Sequence, residues 1–375
     1  MTVSSSTQQQ PRSLQSYLRW RVPACLPGEP VVHRIVELTD VVWIVELEGT
    51  ARVVAKHQVC GADTKDQPDD MLAVEPRILD LLVGEGCSVP RVLGVDAETF
   101  FIFYEYRGDR TVDDLCQQQA LRAVGGQREL GRQLVTEFCQ IESTLAAHQR
   151  ELEPMVTPTA RIEELSATAA RVEAGALEGL AKIHRLCGAD APAVAFDSVR
   201  ELSRWLSARA PTLGSTDYNA RNIVVDGGLE GGALLAFIEF ARIGWDWPER
   251  RLVQYATSLG AGRPDGRFIS LIGPDTVNCY AQWGGGGDEE DVEAAALDGH
   301  HILFHLNAAA MLLRALDTPQ LPRHRALLDA WRNPEQRVAQ IVEAICEPLT
   351  GDHLCSRFRE MFASGVRHVS GEIRI

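Results

Sequence analysis

The sequence predicts an α+β protein of two lobes: a small five-stranded antiparallel sheet lobe, then a larger, mainly helical one. Three observations predict it. Strand-length runs rich in β-branched and aromatic residues crowd residues 30–57 and 89–106. Helical periodicity dominates from Thr111 onward. Two short apolar runs, Asn222 to Val225 and Ala233 to Phe240, interrupt that helical region. The lobes are expected at 15–107 and 108–375, behind a Ser/Gln-rich lead over 1–14 that reads as disordered.

Taken in order, Val31 to Val36, Val41 to Leu47 and Ala51 to Lys56 read as three strands, separated by turn-like Glu37 to Asp40 and Glu48-Gly49-Thr50. A polar loop from Asp63 to Asp70 precedes a helical pattern over Met71 to Leu82. Pro76 fits that helix only in its first turn or at a kink. Val89 to Val95 and Phe100 to Tyr106 supply two more strands. Beyond Thr111, helices are expected over Leu130 to His148, Arg161 to Cys187 and Val199 to Ala208. The two interrupting runs, joined at Asp226-Gly227-Gly228, read as a ribbon bearing polar groups at its mouth. Helices resume after Trp247-Pro248, and Gly284 to Gly287 forms a loop before an acidic helix start, Asp288 to Asp291.

Composition excludes several classes. Apolar residues make up 45% and charged residues 24% of the 375, as in soluble globular proteins. No apolar run reaches the ~18 residues of a membrane span, and the N-terminus lacks a signal-peptide layout. Nine scattered cysteines without a CxxC pair fit reduced thiols in the cytoplasm rather than staples or a zinc site. A net charge of −15 and pI near 5.2 argue against nucleic acid as a partner. Lys56, Lys65 and Lys182 are the only lysines among many arginines. A lysine kept in that background can serve for its compact ammonium.

Several positions carry chemistry. Lys56 ends the third strand and Glu75 lies on the helix that follows, the order of a phosphate-binding lysine and its acidic partner. The other reading is a strand-end lysine snorkelling into water and an acid on a wet helix face. Thr39 lies where a phosphate-covering turn is expected, without glycine, so its hydroxyl and nearby N–H groups are the donors available; a plain hairpin turn is the alternative. Glu105 and Tyr106 end the sheet lobe, where exposed backbone groups can meet a nucleotide base. Asp217 and Asn222 stand five apart, suited to accepting a hydroxyl proton and to offering an oxygen to magnesium. An Asx-rich turn gives the same pattern. Glu239 sits among apolar residues, where an acid calls for a metal or an ion pair, for instance with Arg221 or Arg242. Gly244-Trp245-Asp246 reads as scaffold, and His301 and His305 as a helix-face pair rather than a metal site.

These residues resemble the aminoglycoside phosphotransferase and choline kinase superfamily, small-molecule relatives of the protein kinases. The resemblance spans roughly residues 30–260: Val53-Val54-Ala55-Lys56, Glu75-Pro76-Arg77, Val89-Pro90-Arg91, Phe103-Tyr104-Glu105-Tyr106, Asp217 to Asn222 with Ile223-Val224-Val225, and Ile238-Glu239-Phe240 with Gly244-Trp245-Asp246. It implies a two-lobed protein-kinase-like fold and an Mg2+-dependent transfer of the γ-phosphate of ATP or GTP to a small-molecule hydroxyl. It also implies Asp217 as catalytic base, Asn222 and Glu239 as metal ligands, and Lys56 with Glu75 as phosphate anchor. Ser215 stands where the family's loop begins with a largely structural His. Glu239 replaces the usual Asp, moving the carboxylate by about 1.5 Å against magnesium distances of about 2.0–2.1 Å. A non-catalytic nucleotide-binding pseudokinase is therefore the alternative. A protein kinase is disfavoured, since no Asp-Phe-Gly to Ala-Pro-Glu segment occurs.

Overall fold

The computed structural model describes residues 14–59, 68–118, 124–188, 190–226, 234–263, 265–284 and 288–366. The expected lead, the polar loop from Asp63, the turn after Asp226 and glycines 285–287 fall wholly or mostly outside them. The chain divides into two units, Met1–Arg107 and Gly108–Ile375.

In the first unit, helix α1 (Leu14–Cys25) precedes strands β1 (Val32–Thr39), β2 (Val42–Leu47) and β3 (Arg52–His57). Helix α2 (Pro68–Gly84) and strands β4 (Val92–Asp96) and β5 (Phe101–Glu105) follow. The strands form one antiparallel sheet in the order β1-β2-β3-β5-β4. Alternate residues of β2, β3 and β5, including Val45, Val53, Ala55, Phe101 and Phe103, bury one face against Leu18 and Val22 of α1. Helix α1 was not expected. Its two wholly buried residues are spaced i, i+4, and Tyr17 and Arg21 tie it to the Asp96 carboxylate at 2.8 and 2.7 Å.

Two details differ from expectation. The first strand continues to Thr39, which pairs with Val42, so the turn shrinks to Asp40 and Val41. The second helix starts at Pro68, and Pro76 therefore lies inside it, with no N–H to offer the Leu72 carbonyl. The turn at Glu48-Gly49-Thr50 is as expected: Gly49 and Thr50 take φ of +83° and +76°, and Leu47 N–H bonds Ala51 O at 2.8 Å.

The second unit opens with β6 (Arg110–Thr111) and α3 (Val112–Gln117), whose first turn is closed by a Thr111–Asp114 capping box. Helices α4 (Val124–Ala147), α5 (Gln149–Leu152), α6 (Leu165–Leu186) and α7 (Ala193–Ser207) come next. Four short strands follow: β7 (Thr212–Ser215), β8 (Ile223–Asp226), β9 (Leu234–Phe237) and β10 (Ile243–Asp246). The chain ends with α8 (Pro248–Tyr255), β11 (Thr257–Ser258), β12 (Ile269–Ser270), α9 (Pro274–Gly284), α10 (Asp288–Asp317), α11 (Pro322–Ala330), α12 (Pro334–Cys346) and α13 (His353–Val366). Around α10, wholly buried Leu180, Leu202, Leu306, Leu312, Ile341 and Phe358 form the core.

The expected ribbon is β8–β9, extended by β6 into three strands. A second ribbon, β7–β10, was not expected. Among the described residues, no helix is long and apolar enough to cross a membrane.

Candidate active site

The two ribbons of the second unit bracket the segment 216–222. After β7 the chain makes a turn over Ala220–Asn222, capped by Asn219, whose side-chain oxygen accepts from Arg221 N–H at 2.9 Å. Asn222 then closes the loop. Its Nδ2 donates to the Asp217 carbonyl at 2.7 Å, and its own carbonyl accepts from Ile238 N–H at 2.9 Å. With its nitrogen so engaged, the Asn222 amide presents its oxygen as acceptor or ligand. Asp217 is exposed, and Asn219 Nδ2 meets its carboxylate at 3.2 Å.

Ser215 joins the third member. Its buried Oγ donates to the Glu239 carbonyl at 2.6 Å and accepts from Asp217 N–H at 3.2 Å. With its single proton given to Glu239, it can only accept from the buried Tyr255 hydroxyl, to which it is also hydrogen-bonded. The bonds through Asn222 and Ser215 thus bring Asp217, Asn222 and Glu239 together. Where the family's His is expected, a serine hydroxyl connects the two acidic residues' backbones; the spacing of Ser215 from Asp217 was the available signal.

Glu239 differs from expectation in two ways. It lies beyond β9, with φ of +71°, and it is half-buried rather than enclosed. The alternating pattern of Phe237 to Phe240 suggests a longer strand, but the ladder ends at Phe237, where the chain turns back toward β10. Arg221, one candidate ion partner, instead lies 3.6 Å from Asp113 and donates to the Ala261 carbonyl.

Beneath the loop lies a charged scaffold. Tyr218 donates its hydroxyl to Asp246, which also binds Arg250 and accepts from Trp247 N–H at 2.8 Å. Arg250 donates to the Tyr218 oxygen at 2.6 Å. Burial and the Asp246 charge push the Tyr218 hydroxyl's pKa up, so it stays protonated. Asp246 therefore anchors the loop through the Tyr218 side chain. Arg251, wholly buried, pairs with Glu142 and reaches the Asp246 carbonyl at 3.1 Å. Gly214 lies directly over this guanidinium: a Cβ there would stand 2.6 Å from Arg251 Cζ.

In the first unit, Lys56 Nζ lies 3.6 Å from Glu75 Oε2. Glu75 is 2% exposed, so it is no wet-face acid. Its carboxylate also accepts from the Tyr104 hydroxyl at 2.7 Å and from Gln58 Nε2. Gln58 was missed, although it stands two residues from Lys56, one past the end of that strand. Lys182, by contrast, bridges Asp317 and Glu178 on α10 and α6. Thr39 is exposed, and its oxygen accepts from Val41 N–H at 3.3 Å, which engages one of the turn's amides. The Glu105 N–H bonds Arg91 O at 2.9 Å, and its carboxylate meets Arg91 Nε at 3.2 Å. Tyr106 accepts from Arg52 at 3.1 Å, with that guanidinium 5.0 Å from its ring.

Asn222 offers an amide oxygen and Glu239 a carboxylate, both hard oxygen ligands. Among the described residues no group of three or more His, Cys, Asp or Glu could hold a metal. A pair of oxygen donors completed by phosphate oxygens is the way magnesium is usually held, so Asn222 and Glu239 fit that ion.

Comparison with known proteins matches residues 37–271, more than half the chain, to the model of the phosphotransferase enzyme family. By sequence, no curated protein matches. Among solved structures, the GDP complex of aminoglycoside 2'-phosphotransferase-IIIa is 11% identical with a TM-score of 0.50, covering 93% of this chain and 99% of that one. Choline kinase from Cryptosporidium parvum is 9% identical (TM-score 0.47, 96% and 99% covered), and Plasmodium vivax ethanolamine kinase 12% identical (0.46, 82% and 80%). At such identities the first likeness is one of fold alone, and the fold is kinase-like.

Proposed function

Since the chain belongs to the phosphotransferase enzyme family, we propose that it moves the γ-phosphoryl group of ATP or GTP onto a hydroxyl of a small molecule. The reading rests on one observation above all: hydrogen bonds through Asn222 and Ser215 bring Asp217, Asn222 and Glu239 together. Asp217, exposed and steadied by Asn219, holds the acceptor hydroxyl and takes its proton as that oxygen bonds to the γ-phosphorus and the bond to the bridging oxygen breaks. Asn222 and Glu239 are the residues that hold magnesium, whose bound charge neutralises phosphate oxygens. The first unit, taken at 15–107 as the nucleotide-binding lobe, contributes Lys56 as an ammonium for phosphate, kept in place by Glu75. Thr39 contributes a hydroxyl. Glu105 and Tyr106 contribute backbone groups for the base, though the Glu105 N–H is already engaged. The second unit, 108–375, carries the Asp217 loop and the acceptor site.

Coupled turnover of Asp217→Asn tests the proposal. A fall of about 10²–10⁴-fold in kcat, with nucleotide affinity unchanged, is expected for loss of a general base. Turnover within twofold of the parent refutes Asp217 as the base, and nucleotide binding without any transfer in the parent supports the non-catalytic alternative instead.

A further inference from the structure

We propose that a cavity between α6, α8 and α10 receives the acceptor, and that it takes an apolar-bodied, uncharged or acidic hydroxyl compound rather than a cationic amine. The inference deepens the phosphotransferase reading and rests on it. The cavity, about 660 Å³, lies wholly within the second unit. Leu303, Phe304 and Trp331 are among its apolar walls. Arg250 lines it and also donates to the Tyr218 hydroxyl, one residue from Asp217, so one side chain joins the cavity to the loop that carries the base.

Charge sets the class of occupant. Three arginines, Arg171, Arg250 and Arg314, line the cavity against one acid, Glu178. Glu178 is already matched by Arg314 at 3.0 Å and by Lys182, and Arg250 by Asp246. Among the described residues, Arg171 meets the Thr168 hydroxyl at 2.9 Å and no carboxylate. An ammonium entering here finds guanidinium and no spare acid, whereas a carboxylate finds Arg171. One polar group awaits a partner: His300 lines the cavity, is 4% exposed, and its Nε2 has no hydrogen-bond partner. Burial, with Arg250 and Arg209 nearby, lowers its pKa to about 3, so the imidazole is neutral and suits an uncharged polar atom. The acids at the start of α10, Asp288 to Asp291, stand at least nine residues from His300, about 13 Å along the helix.

The test uses the full chain without nucleotide and the fluorescent anion 8-anilinonaphthalene-1-sulfonate as probe. Met311→Trp fills the cavity from its exposed rim, and Arg171→Glu reverses a charge on an exposed residue; neither disturbs the core. The probe is expected to bind the parent, and each variant to weaken it about tenfold with an unchanged melting temperature. 6-Hydroxy-2-naphthoate is expected to displace it about tenfold better than 6-(aminomethyl)-2-naphthol, of similar shape and opposite charge. Probe binding insensitive to both variants overturns the site, and equal displacement overturns the charge preference. Because no nucleotide is present, this pattern in a chain that transfers no phosphate refutes only the proposed function. Phosphate transfer with variant-insensitive probe binding refutes only the cavity.

Discussion

Removing one oxygen atom, in Ser215→Ala, tests how the site is held. Three bonds are lost: to the Glu239 carbonyl, to Asp217 N–H and to the buried Tyr255 hydroxyl. The bond to the Glu239 carbonyl is short, 2.6 Å, and that to Asp217 N–H is longer, 3.2 Å, at an exposed residue that water can serve. Taking about 1.5 kcal/mol for the first, about 0.5 for the second and about 1 for the Tyr255 hydroxyl left unpaired gives about 3 kcal/mol of lost stability. The effect on turnover should exceed this, since both acidic residues are positioned through that hydroxyl. A displacement of about 1 Å at reacting groups lowers rates about 10²-fold. Urea unfolding measures the first quantity and coupled turnover with ATP and Mg2+ the second. A variant within about 0.3 kcal/mol of the parent, turning over at the parental rate, refutes the bridging role.

Two further outcomes follow from the scaffold. Arg251→Met strands Glu142 beneath β7 and should destabilise the protein by about 3–5 kcal/mol, whereas the double change Arg251→Met with Glu142→Leu should recover most of that, as read by urea unfolding. Burial lowers the pKa of His300 to about 3 and of His305 to about 4, both from the ordinary 6.5. Their folded-state values lie below the unfolded one, so the stability they contribute is present above pH 6.5 and is lost as pH falls toward 4. Each should steepen the decline by up to about 1.4 kcal/mol per pH unit. His305→Asn, whose amide can replace the bond to the His301 carbonyl, should flatten the pH dependence of the melting temperature by one proton's worth.

The sheet lobe was legible because its strands are Val-, Ile- and Phe-rich, with turns at Gly49 and Asp40 between them. Helix α1 was not: its periodicity is carried mainly by Leu18 and Val22, Pro23 follows at once, and Trp20 faces outward. The β7–β10 ribbon escaped notice because its four-residue strands contain Gly214, Ser215, Gly244 and Asp246, residues of turns as much as of strands. They form strands because Arg251 and Glu142 pack beneath them, a tertiary cause that local pattern does not contain. That Asp217 and Asn222 share one loop leading into a ribbon was legible from their spacing and the apolar run that follows. The environment of Glu239 was not, since strand alternation is silent about where a ladder stops. Nor was the cavity, which three helices distant in sequence build together.

If Asn222 and Glu239 hold magnesium, nucleotide binding by this protein depends on that ion. Thermal unfolding with ATP, with and without Mg2+, tests it most directly on the parent, Asn222→Ala and Glu239→Ala. A magnesium-dependent rise in the parent's melting temperature is expected, worth about 2.7 kcal/mol at a hundredfold excess over Kd, with its loss in both variants. Glu239→Asp should retain the rise. An identical ATP shift with and without Mg2+, or one that survives Glu239→Ala, would contradict it.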